Sequence, residues 1–242
     1  TVCLNNTTTF TNTSSLSSGT ISSYNWQFGD GTSSASPSPS HIYSSSGSYN
    51  ASLTVTSLAG CSQTYTQVAI INPLPNVALS VTSNCLGSAT SYTNLSSISS
   101  GTITHYLWDY NFDGTIDNTS LNGSNTFLTA GNYTTQLTVI SNFNCSATQL
   151  VGVTVYPNPV ASSTTHTVCF GQGTLFTNAS TISSGSITSY QWQFGDSTTS
   201  LVSNPTHTYS SAGIHNVLLT ITSNHNCSSS YSTMATVYPK PM

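Results

Sequence analysis

Tyr24–Asp30 reads YNWQFGD, His105–Asp113 reads HYLWDYNFD, and Tyr190–Asp196 reads YQWQFGD. Each stretch has a cysteine before it, a strand-like alternation and a second cysteine after it, and then a Pro-x-Pro hinge. Trp26, Trp108 and Trp192 are spaced 82 and 84 residues apart. A period that long is a whole small domain rather than one turn of a solenoid. The 242 residues therefore divide into repeats 1–74, 75–156 and 157–242. The hinges are Pro73-Leu74-Pro75, Pro157-Asn158-Pro159 and Pro239-Lys240-Pro241. Proline fixes φ and favours extended backbone, so these read as short stiff spacers that hold the repeats in a rod.

Inside each repeat the apolar period is two. Tyr49, Ala51, Leu53 and Val55 alternate with polar residues, as do Tyr133–Val139 and Val217–Ile221. Further strands are expected at Val77–Val81, Gln67–Ile71, Leu150–Tyr156 and Met234–Tyr238. No stretch carries a capped 3.6-residue apolar stripe. Short strands broken by Gly, Ser and Asn turns in units of this size indicate an all-β chain of three tandem Ig-like β-sandwiches. Repeat 1 begins at Thr1-Val2-Cys3, whereas repeat 3 has Val160–His166 ahead of Thr167-Val168-Cys169. The opening strand of repeat 1 is thus missing. Either the sequence is a window on a longer array, or the open edge accepts a strand from a neighbour.

Charged residues make up 2% of the chain, with Lys240 the one cation and all five acids Asp. Phosphate neutralisation needs clustered Lys and Arg, so nucleic-acid binding is excluded, as is docking on an anionic membrane. No run approaches the roughly 20 apolar residues of a membrane span. Net charge normally keeps soluble proteins apart. A surface of hydroxyls and amides instead permits close self-contact, as in a sheath or filament, or carries glycans. Sequons such as Asn50-Ala51-Ser52 and Asn178-Ala179-Ser180 arise by chance in a chain so rich in Asn, Ser and Thr, whereas Asp196-Ser197-Thr198 resembles a short O-glycosylation signal.

Trp26-x-Phe28-Gly29-Asp30-Gly31, Pro39-x-His41-x-Tyr43 and Gly47-x-Tyr49, with Trp192-x-Phe194-Gly195-Asp196, Pro205-x-His207-x-Tyr209 and Gly213, resemble the PKD (polycystic kidney disease) domain family. Repeat 2 departs from the pattern, with Asn125 and Phe127 at the His and Tyr positions; repeat 3 has His215 in place of the last Tyr. The cysteines and hinges resemble the tandem arrays of Bacteroidota surface proteins. That resemblance implies an extracellular or cell-surface bacterial location and a role in adhesion, gliding or scaffolding. The family also decorates secreted proteases and chitinases as a non-catalytic module.

Six cysteines fall two per repeat: Cys3 and Cys61, Cys85 and Cys145, Cys169 and Cys227. Six cysteines allow fifteen pairings. If each repeat solves its own folding problem, the pairs lie within repeats. Each such bond would stabilise its repeat by about 4 kcal/mol in the chain-entropy account. The alternative is free buried thiols. Paired cysteines imply an oxidising compartment.

Asp109, Asn111, Asp113, Thr115 and Asp117 match the start of a calcium loop, with Gly114 at the turn. Ser120 stands where a bidentate Glu closes the tight versions, so a weak site is expected in repeat 2 alone. The plain alternative is a turn whose Asp and Asn side chains only bond local backbone. Asp30 and Asp196 are expected to brace the loop after the tryptophan strand. His41 and His207 recur as structural residues, since no nucleophile elbow accompanies them. Trp26, Trp108 and Trp192 are expected in the core beside the disulfides.

These readings predict no enzyme. They predict a structural or adhesive extracellular protein that self-associates into a filament or array, with a surface glycan or protein as a further ligand. The rival is an accessory module of a secreted hydrolase that binds polysaccharide or protein fibres.

Overall fold

The computed structural model describes residues 2–241; Thr1 and Met242, the outer limits of the expected repeats, lie outside the described residues. Repeat 1 holds β1 (Val2–Cys3), β2 (Thr7–Thr9), β3 (Ile21–Gln27), β4 (Ser33–Ser34), β5 (Ser40–Ile42), β6 (Gly47–Ser57) and β7 (Ser62–Asn72). Repeat 2 holds β8 (Leu79–Val81), β9 (Asn84–Cys85), β10 (Thr90–Asn94), β11 (Ile103–Asp109), β12 (Gly123–Asn125), β13 (Gly131–Ser141) and β14 (Ser146–Tyr156). Repeat 3 holds β15 (Ser163–Thr165), β16 (Val168–Cys169), β17 (Thr174–Asn178), β18 (Ile187–Gln193), β19 (Thr199–Ser200), β20 (Thr206–His207), β21 (Gly213–Ser223) and β22 (Ser228–Tyr238). The described residues contain no helix.

Each repeat makes two sheets. The larger ones run β1-β7-β6-β3-β4, β11-β13-β14-β9 and β16-β22-β21-β18-β19. The smaller ones run β2-β5, β12-β10-β8 and β15-β17-β20. The 11-residue β6–β7 hairpin pairs Gly47 with Ile71 at one end and Thr56 with Ser62 at the other. Its strands are longer than the alternation alone suggests, because Ser62–Thr66 carries little apolar signal.

The alternating residues face the cores as expected. Trp26, Phe28, Tyr43, Leu53 and Ile71 form the core of repeat 1, and Phe176, Trp192, Phe194, Tyr209, Leu219 and Val237 that of repeat 3. Each indole N–H donates to a backbone carbonyl: Trp26 to Pro37, Trp108 to Ser120 and Trp192 to Val202. A buried indole thus keeps its hydrogen bond. Gly29 is required after Phe28. Its φ is +85°, and a Cβ there would lie 2.8 Å from the carbonyl oxygen of Asn50.

Packing gathers the chain into two compact units, one of residues 1–80, 93–123 and 135–151, the other of residues 81–92, 124–134 and 152–242. Each unit contains one disulfide. Cys3 is bonded to Cys145, and Cys85 to Cys227, with Cα atoms 5.6 and 5.5 Å apart. Cys61 and Cys169 are free and exposed. The expected pairs Cys3–Cys61, Cys85–Cys145 and Cys169–Cys227 are therefore wrong, and so is the expectation of tryptophans beside a disulfide within each sandwich. The hairpin explains why. Cys3 pairs in parallel with Asn72 at the far end of β7, whereas Cys61 lies in the turn before Ser62. At about 3.3 Å per residue, the 11 steps from Cys61 to Asn72 hold the two about 36 Å apart. A disulfide needs Cα atoms within about 7 Å.

Candidate functional site

The two bonds share one construction. Leu4, Leu86 and Phe170, each following the first cysteine of its repeat, donate N–H to the carbonyls of Asn72, Tyr156 and Tyr238, each at 2.8 Å. A turn then closes onto each cysteine carbonyl from Asn6, Ser88 and Gln172, each at 3.0 Å. Asn5, Gly87 and Gly171 supply the left-handed backbone it needs. The second cysteines sit in a different turn, also built three times. Ser57, Ser141 and Ser223 donate N–H to the carbonyls of Cys61, Cys145 and Cys227, and their hydroxyls accept the cysteine N–H at 3.2 Å. Gly60, Asn144 and Asn226 are left-handed there. Beside the Cys85–Cys227 bond, Tyr156 stacks on His225 with ring centres 3.7 Å apart.

The recurrent acids and histidines meet. Asp30 Oδ2 lies 2.6 Å from His41 Nε2, and Asp196 Oδ2 lies 2.7 Å from His207 Nε2. Thr32 donates its N–H and hydroxyl to Asp30 Oδ1 at 3.0 and 2.6 Å; Thr198 does the same to Asp196. The imidazoles are clamped by ring contacts: His41 stacks on Phe28 at 4.3 Å and meets the edge of Tyr43 at 4.6 Å. Burial raises the Asp30 carboxyl, but the Thr32 and His41 hydrogen bonds outweigh it and hold it down to about 2. Asp196 is held at about 2 in the same way. Tyr43 and Tyr209, pushed up to about 12 first by burial and then by the nearby aspartate, donate their hydroxyls to the carbonyls of Phe28 and Phe194. From the sequence alone Asp30 is expected as a loop brace and His41 as a separate structural residue. Their common 11-residue spacing in repeats 1 and 3, and the Asn125 that replaces the histidine in repeat 2, were the signal that they act together. Among the described residues the third member of each set is a threonine, Thr32 or Thr198, whose hydroxyl donates to the carboxylate.

The acidic loop of repeat 2 is held by its own backbone. Asp109, buried, accepts N–H from Asp113 at 3.2 Å and from Gly114 at 2.8 Å. Asp117 accepts from Tyr110 at 2.7 Å. Asp113 accepts from Thr115 N–H and from the Asn111 amide, which together lower its carboxyl, the Thr115 bond most. Among the described residues no three His, Cys, Asp or Glu side chains converge as a metal-ligand set. Asp109, Asn111, Asp113, Thr115 and Asp117 thus share one loop, with carboxylate oxygens engaged by N–H donors.

Among the described residues, repeat 1 has an open groove where repeat 3 has a strand. In repeat 3, β15 pairs with β17, and Ala161 joins the core cluster. In repeat 1, β2 pairs with β5 alone among the described residues. A groove of about 630 Å³ runs there along Phe10, Trp26, Leu53, Tyr65, Val68 and Ile70. Tyr65 is 70% exposed, against 39% for Tyr231 at the same position of repeat 3.

Comparison with known proteins agrees with this architecture. The PKD domain family matches residues 1–73, 71–155 and 156–237. Over 70 residues the chain is 43% identical to the pre-pro-metalloprotease PrtV of Vibrio cholerae; the match takes in 28% of this chain and 8% of that protein. The crystal structure of the PKD1 domain of PrtV aligns over 34% of this chain and 98% of that domain, at 33% identity and a TM-score of 0.31. The PKD1 domain of Vibrio anguillarum Epp aligns over 34% of this chain and 96% of that domain, at 26% identity and a TM-score of 0.32. PKD domains are non-catalytic modules that occur in extracellular adhesive or accessory positions. With three matches in tandem over nearly its whole length, the chain belongs to the PKD domain family.

Proposed function

We propose that this chain is a mechanical segment of an extracellular structural or adhesive protein, whose repeats are fastened one to the next by disulfides. The observation that carries this reading is the pair of bonds Cys3–Cys145 and Cys85–Cys227, each joining successive repeats rather than closing one sandwich. Two such loops overlap over residues 85–145. A pull on the chain ends therefore crosses from Cys3 to Cys145, back along the backbone to Cys85, and over to Cys227. The near absence of charge supports dense self-packing in a filament or array, and an oxidising bacterial surface is the setting in which such bonds last. Calcium, in this reading, is a weak ligand of the Asp109–Asp117 loop, since it must displace backbone donors from the carboxylates.

Force spectroscopy tests the fastening. Between Cys3 and Cys227 the bonded chain has 60 residue steps of tensioned backbone, Cys85 to Cys145, against 224 once both bonds are reduced. At roughly 3.5 Å per residue, full extension should be about 210 Å bonded and about 780 Å reduced. Equal extensions in both states would contradict the reading. A second reading, an accessory module that binds polysaccharide or protein fibres beside a secreted hydrolase, is favoured by the 70-residue match to the PrtV metalloprotease.

A further inference from the structure

The pairing rule leaves one cysteine of each kind unused. The first cysteine of a repeat bonds the second cysteine of the next: Cys3 to Cys145, then Cys85 to Cys227. By that rule Cys169 seeks the second cysteine of a following repeat, and Cys61 the first cysteine of a preceding one. Both are free. Their surroundings are already built for bonding. Cys169 pairs with Tyr238 as Cys85 pairs with Tyr156, and Phe170 N–H meets the Tyr238 carbonyl at the 2.8 Å found twice elsewhere. Cys61 occupies the same serine-closed turn as Cys145 and Cys227. Only the cover differs: Cys145 and Cys227 are 1% exposed in their bonds, whereas Cys61 is exposed. Tyr238 is likewise 55% exposed, where its counterpart Tyr156 lies stacked on His225.

We propose that Cys169 of one copy of this chain bonds to Cys61 of a second copy, head to tail, through the same junction that joins repeats 1 to 2 and 2 to 3. The inference rests on the proposed role of inter-repeat disulfides and extends it from one chain to an assembly. One chain presents one half of the junction on repeat 3 and the complementary half on repeat 1. The contact is therefore heterologous, and such a contact propagates into an open polymer unless its rotation closes a ring. The chemistry is thiol–disulfide exchange with a small disulfide oxidant. The Cys61 thiolate attacks oxidised glutathione, forming a mixed disulfide and releasing one glutathione thiolate. The Cys169 thiolate then attacks the Cys61 sulfur, forming the inter-chain bond and releasing the second. Docking the two built turns raises the effective concentration of this pair above that of either like pair.

The purified chain should be incubated at high concentration in a glutathione redox buffer and run on non-reducing gels. It should then be digested with chymotrypsin for mass mapping, because Lys240, its one Lys or Arg, is followed by Pro241 and leaves trypsin no bond to cut. The expected result is a ladder of covalent oligomers and a linked peptide pair holding Cys61 and Cys169. C61S and C169S variants, each alone, should stay monomeric; mixed, they should stop at a dimer. Cys61–Cys61 or Cys169–Cys169 links as frequent as the mixed link would overturn the proposal. So would a monomer whose Cys3–Cys145 and Cys85–Cys227 bonds map intact, a result that leaves the mechanical reading standing. A bond in native material from Cys169 to a cysteine outside residues 1–242 would also overturn it, by naming a different occupant.

Discussion

Cys85 is bonded to Cys227 of the following repeat and not to Cys145 of its own. A 142-residue separation makes that bond a tie between domains. In the chain-entropy account, closing such a loop contributes about 5 kcal/mol. Replacing Cys85 by Ser should therefore leave Trp192 buried, since its packing partners are all in repeat 3, while lowering the melting temperature and splitting one calorimetric transition into two. Calorimetry with and without reductant checks this; a single unshifted transition in C85S would count against the bond.

How much of this was legible in the sequence depends on range. Period-two alternation at Val217, Leu219 and Ile221 located a core strand, because each side chain reports its own burial. The repeat located Trp26, Trp108 and Trp192. Pairing of cysteines was not legible, because it depends on which end of an 11-residue hairpin each cysteine occupies and on the neighbouring repeat. The Asp30–His41 contact was half legible: its spacing repeats, but the strand pairing that closes it, Thr8 with His41, is non-local.

Acid should expose the aspartate pairs. Asp30 and Asp196 have carboxyls held at about 2 in the fold, below the ordinary 3.8. The fold therefore favours their ionised form; the resulting stability is full above about pH 4 and is lost as pH falls toward 2. Urea midpoints measured from pH 5 to 2 should drop across that window. In a D30N/D196N variant the slope should flatten and the stability at pH 5 should be lower.

Tyr43 and Tyr209 each donate a buried hydrogen bond to a carbonyl. Tyr43→Phe removes the donor and strands the Phe28 carbonyl, at a cost of about 1–2 kcal/mol in urea denaturation. Repeat 2 already has Phe127 at that position, so the ring itself is compatible with the site. Stability should also fall in alkali between about pH 10 and 12, because burial favours the protonated phenol; Y43F/Y209F should blunt that fall.

The groove of repeat 1 predicts a gain. In repeat 3, residues 157–166 lead into and include β15 (Ser163–Thr165), which pairs with β17. Fusing that ten-residue stretch ahead of Thr1 should lay a strand on β2, cover Tyr65 and Trp26, and raise the stability of repeat 1. Blue-shifted tryptophan emission and a higher denaturation midpoint would report it; unchanged values would show that the groove does not accept a strand.

Calcium should bind the Asp109–Asp117 loop with a dissociation constant on the order of 10⁻⁴–10⁻³ M. Isothermal titration should show one weak site that D113N abolishes. Heat from more than one site, or none at millimolar calcium, would remove the cation from the account.

The most direct test of the central claim is a disulfide map of the native protein, digested without reduction and with thiols blocked. The account predicts linked peptides Cys3–Cys145 and Cys85–Cys227. Linked peptides Cys3–Cys61, Cys85–Cys145 and Cys169–Cys227 would contradict it, returning each sandwich to its own bond and leaving the repeats joined by backbone alone.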